Sequence, residues 1–192
     1  MKDNQAKPCA IRGFILMKYL KDISICDDLI NFYKNSDEKG QGKMIMNNVA
    51  GYYPDRKDST DCVLRDPLLD KYLNSLQNVI GTYMEKFPMS KSEAAWGIVE
   101  NVNIQHYKPN QGFKSWHTER SCANNNRHLV FMTYLNDVMD GGETEWFHQK
   151  GRVKPRKGLT VIWPSDWTHM HRGVVSKTEH KYIVTGWIEY LP

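Results

Sequence analysis

The second half of the chain consists of short apolar runs separated by turn signals, and this pattern limits the fold more than any other feature. Apolar and polar residues alternate in the first run, as they do along a half-buried β-strand. Turn residues such as Gly141-Gly142 separate the later runs. Short strands at this spacing favour a sandwich or a jelly roll over a parallel sheet. The predicted strands cover residues 96–107, 127–135, 159–163 and 181–188.

The first half of the chain is predicted to contribute two helices and one strand. Residues 24–33 have the apolar spacing of a helix, and Ser24 is the predicted N-cap because two acidic residues follow in the first turn. From Pro67 to Met84, apolar residues recur every three or four positions, which predicts an amphipathic helix of about five turns. The predicted strand covers residues 11–20, and the predicted loops cover 36–43 and 52–60.

The length of 192 residues fits one domain with a sizeable buried core. We expect a mainly β fold with flanking helices, of the α+β class. Its core would be a double-stranded β-helix, or jelly roll, over residues 96–192, and residues 1–95 would supply supporting strands and helices.

The composition argues against several classes of protein. No apolar stretch approaches the roughly 18 residues needed to span a bilayer, and no secretory signal is recognisable. The 26 Lys and Arg residues outnumber the 22 acidic ones, but they are scattered, so nucleic-acid binding is not indicated. Four cysteines without a CxxC pair predict reduced thiols in a cytoplasmic protein. Nothing in the sequence sets the oligomeric state.

Two histidines and one carboxylate form a candidate metal site. His117 and Glu119 are two positions apart, so on a strand both side chains point to one face and can bind the same ion. His171 follows 52 residues after Glu119 and would come from a distant strand. Two imidazoles and one carboxylate are typical of non-haem Fe(II) oxygenases, because three coordination positions remain open. An isolated His-x-Glu pair is weak evidence, since most histidines only satisfy local hydrogen bonds.

The sequence around these residues resembles the 2-oxoglutarate and Fe(II)-dependent dioxygenases, most closely their prolyl 4-hydroxylase branch. The resemblance extends from Tyr107 to Trp187 and rests on eight short pieces in the family's order. Each piece is common alone, whereas the ordered set is specific. The pieces are Tyr107-Lys108-Pro109, Gly112-Phe113, His117-Thr118-Glu119, Tyr134-Leu135-Asn136-Asp137, Gly141-Gly142-Glu143-Thr144, Pro155-Arg156-Lys157-Gly158, His171-Arg172-Gly173 and Lys181-Tyr182-Ile183-Val184-Thr185-Gly186-Trp187.

The resemblance implies Fe(II), 2-oxoglutarate and O2 as cofactors, with ascorbate as the reductant. His117, Glu119 and His171 would be the iron ligands. Lys181 would pair with the C5 carboxylate of 2-oxoglutarate, and Thr185 would donate a hydrogen bond to the same group. Further pocket-lining residues implied by the resemblance are Tyr107, Tyr134 and Trp187, with core packing as the alternative role for the last two.

The candidate ligands raise two questions. The family usually has aspartate where this chain has Glu119, so the strand or the rotamer must shift to absorb one extra methylene. His169 and His171 are two positions apart and would face the same way. The resemblance selects His171, because the family places its distal histidine ten residues before the basic anchor, here Lys181.

The implied function is hydroxylation of an unactivated C–H bond with decarboxylation of 2-oxoglutarate to succinate. A prolyl residue in a peptide or protein is the leading substrate. The same chemistry on a free amino acid or a nucleobase is one alternative, and a non-catalytic jelly-roll binding protein, inactive through Glu119, is another. Candidate substrate contacts are Arg120, Arg172 and His169, and the cleft is expected to use loops over 50–62 and 120–127.

Overall fold

The computed structural model describes residues 9–11, 13–46, 49–91 and 94–192. Within these ranges the chain forms two α-helices, sixteen β-strands and three short 3-10 helices. The helices are α1 (Ile25–Asn35) and α2 (Leu68–Lys86). The strands are β1 (Cys9–Ile11), β2 (Ile15–Tyr19), β3 (Gly40–Gln41), β4 (Met44–Met46), β5 (Val49–Gly51), β6 (Lys57–Asp58), β7 (Thr60–Val63), β8 (Trp96–Gly97), β9 (Asn103–Tyr107), β10 (Gly112–Phe113), β11 (Arg127–Tyr134), β12 (Thr144–Trp146), β13 (Gly151–Val153), β14 (Leu159–Pro164), β15 (His171–Gly173) and β16 (Lys181–Tyr190). The 3-10 helices are Pro88–Lys91, Cys122–Asn124 and Trp167–His169.

Nine strands form one large antiparallel sheet, and the longest strand, β16, lies inside it. β16 pairs with β11 on one side and with β9 on the other. The order across the sheet is β1-β2-β14-β11-β16-β9-β7-β3, and β8 pairs with the end of β16. A smaller sheet has the order β13-β12-β15, and two further pairs join β4 to β5 and β10 to β6.

Alternate side chains of β16 face two different cores. Val184 and Ile188 pack on one face of the large sheet with the buried sides of α1 and α2. Ile183 packs on the opposite face with Trp146 of β12 and Val153 of β13, which belong to the small sheet. The helices therefore cover the outside of the large sheet, while its inner face meets the small sheet. This arrangement confirms the predicted mainly β jelly-roll fold with flanking helices.

The two predicted helices are present, and Ser24 stands at the predicted N-cap position of the first. The long helix α2 matches the predicted range closely and buries Leu76 and Val79 on one side. α1 follows Ser24, whose side chain makes no capping hydrogen bond. The backbone of Ser24 is helical (φ −63°, ψ −28°) rather than extended, as a capping residue usually is, and its hydroxyl donates to Oδ1 of Asp22 at 2.6 Å. No helix in the described ranges is long and apolar enough to cross a membrane.

Two predicted strands are interrupted. The strand expected over 11–20 begins as β2 only after a turn in which Gly13 and Phe14 have φ of 84° and 66°, and residue 12 lies outside the described residues. The strand expected over 96–107 is split into β8 and β9, because these pair with opposite ends of β16 and the chain must travel along β16 between them. The two predicted loops contain the short strands β3 and β6.

The packing of α2 against the large sheet yields a test of the fold. Leu76 is fully buried in the helix-covered core, so Leu76→Ala is expected to lower the free energy of unfolding by about 2–5 kcal/mol. Gln77→Ala is the matched control because Gln77 is exposed on the same helix, and it should change stability by less than about 0.5 kcal/mol. Urea denaturation monitored by tryptophan fluorescence measures both, and equal effects would contradict the packing.

Candidate metal and co-substrate site

The backbones of His117 and His171 are hydrogen bonded to each other. The N–H of His117 donates to the carbonyl of His171 at 3.0 Å, and the N–H of His171 donates back at 2.9 Å. This isolated antiparallel bridge joins two segments that are far apart in the sequence. As a result, the two imidazole rings lie side by side with centroids 4.2 Å apart.

Both histidines turn Nδ1 toward the backbone carbonyl two residues upstream. Nδ1 of His117 lies 3.0 Å from the carbonyl oxygen of Ser115, and Nδ1 of His171 lies 3.0 Å from that of His169. A carbonyl oxygen only accepts, so each Nδ1 carries the proton and each Nε2 keeps a free lone pair. Burial and the adjacent imidazole of His171 lower the pKa of His117, which favours the neutral form that a metal needs.

Glu119 completes a compact triad with the two histidines. Its Oε1 lies 3.5 Å from Nε2 of His117 and 3.5 Å from Nε2 of His171, and one ligand atom from each residue lies within 4.8 Å of the others. Burial would raise the pKa of Glu119, but its contacts with the two histidines hold it well below its ordinary value. Two imidazole nitrogens and one ionised carboxylate form a donor set that suits Fe(II).

Aromatic rings fix the orientation of both imidazoles. Phe113 stacks on His117 with ring centroids 3.5 Å apart and planes only 4° from parallel. Trp163 packs its edge against His171 at 5.0 Å. The indole N–H of Trp163 is buried and has no partner among the described residues. The rings therefore leave the imidazoles little freedom to rotate away from the centre of the triad.

Lys181 is a buried cation on the same face of the large sheet. Only 5% of the residue is exposed, and its ammonium donates to the carbonyl of Gly142 at 3.2 Å. No carboxylate in the described part of the chain forms an ion pair with it. Burial lowers the pKa of Lys181 to about 8, and the charge of Glu143 opposes this shift only partly. A buried ammonium without a counterion suits the carboxylate of a bound ligand.

One cavity of about 320 Å³ joins the triad to Lys181. The ring of Tyr107 faces Lys181, with 4.8 Å between Nζ and the ring centroid. Thr185 projects into the same cavity, and its hydroxyl donates to the backbone carbonyl of Phe131 at 3.3 Å. The predicted site residues that line the cavity are His117, Glu119, His171, Lys181, Thr185, Tyr107, Trp187 and Arg172.

Three of the predicted site residues do not line this cavity. The hydroxyl of Tyr134 donates to Oγ1 of Thr144 at 2.7 Å, so its ring belongs to the buried core, behind the pocket-lining Thr144. His169 uses Nδ1 on the Thr168 hydroxyl at 2.8 Å, and its Nε2 contacts the carbonyl of Gly13. Arg120 is exposed at the surface.

Two buried cations at the cavity were absent from the sequence prediction. Arg127 is the first residue of β11, and its guanidinium donates two hydrogen bonds of 2.5 Å to the carboxylate of Glu100. Lys57 lies in β6 and pairs with Asp61 at 2.8 Å. The position of Arg127 at the start of a predicted strand was visible in the sequence, but its partner was not. Lys57 gave no signal, because it fell in a predicted loop. The two loop segments expected at the cleft both contribute lining residues: Ala50, Lys57, Ser121, Asn124 and Arg127.

Comparison with known proteins places this arrangement in a class. Residues 102–189 match the model of the 2OG-Fe(II) oxygenase superfamily. Probable prolyl 4-hydroxylase 9 of Arabidopsis thaliana is 28% identical over 116 residues, which cover 46% of this chain and 40% of that protein. The matched segment thus spans less than half the length of this curated relative.

Solved structures share the fold at low sequence identity. The viral collagen prolyl hydroxylase of Paramecium bursaria Chlorella virus-1, in its 2OG complex, is 18% identical with a TM-score of 0.66, over 94% of this chain and 98% of that one. A Trichoplax adhaerens prolyl hydroxylase, in complex with a hypoxia inducible factor oxygen degradation domain peptide fragment, is 16% identical with a TM-score of 0.71, over 93% and 84%.

The chain resembles the 2OG-Fe(II) oxygenase superfamily over residues 102–189. Within it, the chain is prolyl 4-hydroxylase-like, as the eight sequence pieces predicted. The family's cofactors are Fe(II) and 2-oxoglutarate with O2, and the residues present fit them. The triad has two free Nε2 lone pairs and one ionised carboxylate, while Lys181 is a buried cation without an ion-pair partner in the described residues.

The choice between the neighbouring histidines can be tested by metal binding. His171→Ala removes a ligand, so Fe(II) affinity measured anaerobically by equilibrium dialysis should fall by more than the 10- to 100-fold typical of residues that only support ligands. His169→Ala should keep affinity within about tenfold and instead lower the free energy of unfolding by about 1–3 kcal/mol, because buried hydrogen bonds are lost. The reverse pattern of affinities would make His169 the ligand.

The lowered pKa of Lys181 predicts a pH-dependent affinity for 2-oxoglutarate. A lysine with a pKa of about 8 is charged below that pH and neutral above it, so the carboxylate loses its counterion as pH rises. The Kd of 2-oxoglutarate, measured by calorimetry with saturating Mn(II), should rise about fivefold from pH 8 to pH 9. Lys181→Arg stays charged over this range and should show a flatter profile. Identical slopes for the two proteins would contradict the role of Lys181.

Proposed function

We propose that the protein is an Fe(II)- and 2-oxoglutarate-dependent dioxygenase that hydroxylates an unactivated C–H bond. 2-Oxoglutarate would be decarboxylated to succinate, and a prolyl residue of a peptide or protein is the leading substrate. The observation that carries this proposal is the position of Lys181. A buried ammonium without an ion-pair partner in the described residues opens into the same cavity as the His117, Glu119 and His171 triad.

The three ligands would hold Fe(II) from one side and leave its remaining positions facing the cavity. When bound, Fe(II) and 2-oxoglutarate supply the activation of O2, whose two oxygen atoms end in succinate and in the hydroxylated product. The carbonyls of Ser115 and His169 hold the two imidazole rings in orientation through their Nδ1 atoms. These contacts are in place without any rearrangement, so the metal would meet a preorganised donor set.

Lys181 and Thr185 would bind the distal carboxylate of 2-oxoglutarate. The two residues are four apart on β16, so their side chains project from the same face of the strand. Lys181 is paired across the strands with Tyr107, whose ring stands beside the ammonium. Binding of the carboxylate would neutralise the buried charge, which supports orientation of the co-substrate toward the triad.

Apolar walls would protect the reaction from water. Phe113 and Trp163 pack on the two imidazoles, and Met132 and Ile183 line the cavity between the triad and Lys181. Such walls exclude solvent and stray reductants from the reacting centre, which is the protein's main task when cofactors carry the oxidation chemistry.

Two considerations support a peptide or protein substrate. Exposed residues that line the cavity include Ile45 and Ala50 of the β4–β5 pair and Ser121, so the cavity opens to the surface there. A cavity of about 320 Å³ accepts one side chain beside the co-substrate, while the rest of a peptide would lie across the mouth. The two similar solved structures described above are prolyl hydroxylases, one of them in complex with a peptide fragment.

Two other functions remain as competing hypotheses for the same fold. The first is the same chemistry on a free amino acid or a nucleobase. The second is a binding protein without catalysis, in which Glu119 does not support activity. Both keep the cavity and differ in what is released from it, so product analysis separates them from peptide hydroxylation.

The proposed activity is tested by mass spectrometry of proline-rich peptides incubated with Fe(II), 2-oxoglutarate, ascorbate and air. We expect a peptide product heavier by one oxygen atom, with succinate formed in equal amount, because one O2 is divided between the two. His171→Ala should abolish both products, since it removes a proposed iron ligand. Fragmentation of the peptide locates the oxygen on proline or elsewhere.

The alternatives predict different outcomes of the same experiment. A small-molecule substrate would be favoured by two results. Succinate would form without oxidation of the peptides, and supplied free amino acids or nucleobases would be oxidised together with succinate formation. No succinate under any of these conditions, from protein that binds Fe(II), would favour a binding protein and contradict the proposed enzyme.

A further inference from the structure

The second carboxylate oxygen of Glu119 is held away from the histidines. While Oε1 faces the two imidazoles, Oε2 accepts a hydrogen bond from the indole N–H of Trp187 at 3.0 Å and another from Nη1 of Arg127 at 3.4 Å. Nη1 of Arg127 also donates to the backbone carbonyl of Glu119 at 3.1 Å. Arg127 therefore contacts both the main chain and the carboxylate of Glu119. The side chain of Glu119 is one methylene longer than the aspartate usual at this position.

Arg127 is itself fixed on three sides. Its Nε and Nη2 donate to the two oxygens of Glu100, each at 2.5 Å, in a two-pronged arrangement. Cζ of its guanidinium lies over the indole of Trp187, 3.7 Å from the ring centroid. Only 7% of Arg127 is exposed. Nε, Nη1 and Nη2 all have partners, so this side chain is committed to the protein rather than free for a substrate.

We propose that Arg127 and Trp187 act as a clamp on Oε2 of Glu119, which leaves Oε1 alone to bind the metal. The clamp is what allows glutamate to serve as the single-oxygen ligand in this chain. Arg127 and Trp187 are positioning residues, with Glu100 acting through Arg127. This inference rests on the proposed iron site formed by His117, Glu119 and His171.

The physical need for a clamp follows from the length of the glutamate side chain. An additional rotatable bond gives the carboxylate more positions, and a free carboxylate can bind a metal through both oxygens. Two-oxygen binding would occupy a position that 2-oxoglutarate or O2 requires. Two donors on Oε2 remove this option, because that oxygen already accepts a charge-assisted hydrogen bond and an indole hydrogen bond.

Co(II) binding provides a test that is independent of catalysis. Affinity is measured by equilibrium dialysis with Co(II) alone, and ligand geometry is read from the visible absorption of the bound ion. Trp187→Phe keeps an aromatic ring but removes the donor, and Arg127→Gln removes the guanidinium. Each is expected to weaken Co(II) binding by about 10- to 100-fold and to change the visible spectrum.

Two matched control variants remove the same chemical groups, an indole N–H and a guanidinium, at positions outside the cavity. Trp96→Phe removes an indole hydrogen bond to the carbonyl of Ser90, outside the cavity. Arg65→Gln removes an arginine that is 58% exposed and lies 3.9 Å from Glu38. Both variants should bind Co(II) as the wild-type protein does, with the same spectrum. Thermal unfolding without metal identifies any variant that fails to fold. If Arg127→Gln fails to fold, Trp187→Phe alone still tests the clamp.

Double variants separate a clamp from a general structural effect. Glu100→Gln should weaken Co(II) binding in the wild-type background but change it by less than about twofold when combined with Arg127→Gln, because Glu100 acts through Arg127. Glu119→Asp shortens the carboxylate so that it reaches the metal or the clamp but not both. Adding Arg127→Gln to Glu119→Asp should therefore change affinity by less than about twofold.

The outcomes distinguish failure of the clamp from failure of the metal site. Wild-type affinity and spectrum in both Trp187→Phe and Arg127→Gln would overturn the clamp while leaving the metal site intact. The clamp would also be overturned if Arg127→Gln weakened Co(II) binding equally in the wild-type protein and in the Glu119→Asp variant. Absence of Co(II) binding by the wild-type protein would overturn the metal site and the clamp together.

Discussion

The reciprocal backbone hydrogen bonds between His117 and His171 are the constraint on which the site depends. They tie the segment after β10 to the first residue of β15 and bring the two imidazoles to a centroid distance of 4.2 Å. Glu119 follows two residues later, where its N–H donates to the carbonyl of Ser165 beyond β14. Main-chain hydrogen bonds thus bring the segments of the triad together, and side-chain contacts then orient the rings and the carboxylate.

Electrostatic pairing decides which part of the cavity remains available to a ligand. Lys57, Arg127 and Lys181 are all buried cations that line it. Lys57 is neutralised by Asp61, and Arg127 by Glu100 and Glu119. Among the described residues, Lys181 contacts a backbone carbonyl and the ring of Tyr107 but no carboxylate. A dicarboxylate such as 2-oxoglutarate would therefore find its strongest unsatisfied charge at the end of the cavity that Lys181 occupies.

Local patterns in the sequence predicted much of the fold because periodicity reports directly on one-sided burial. The repeat from Pro67 to Met84 became α2, and the alternation of β16 correctly placed Lys181 and Thr185 on one face. Errors arose where a competing partner was invisible in the chain. Tyr134, for example, donates to Thr144 in the core instead of lining the pocket.

The sequence by itself determined the class of the protein, because the ordered pieces from Tyr107 to Trp187 contain the ligand types and their spacing to the anchor. Residue types and spacing are local properties, so they predict the metal ligands but not the side chains that contact those ligands. Only the tertiary structure decided how Glu119 is held, since Glu100, Arg127 and Trp187 come from three separate segments of the chain. Contacts of that kind depend on which strands become neighbours, and strand pairing is fixed by the packing of the whole sheet.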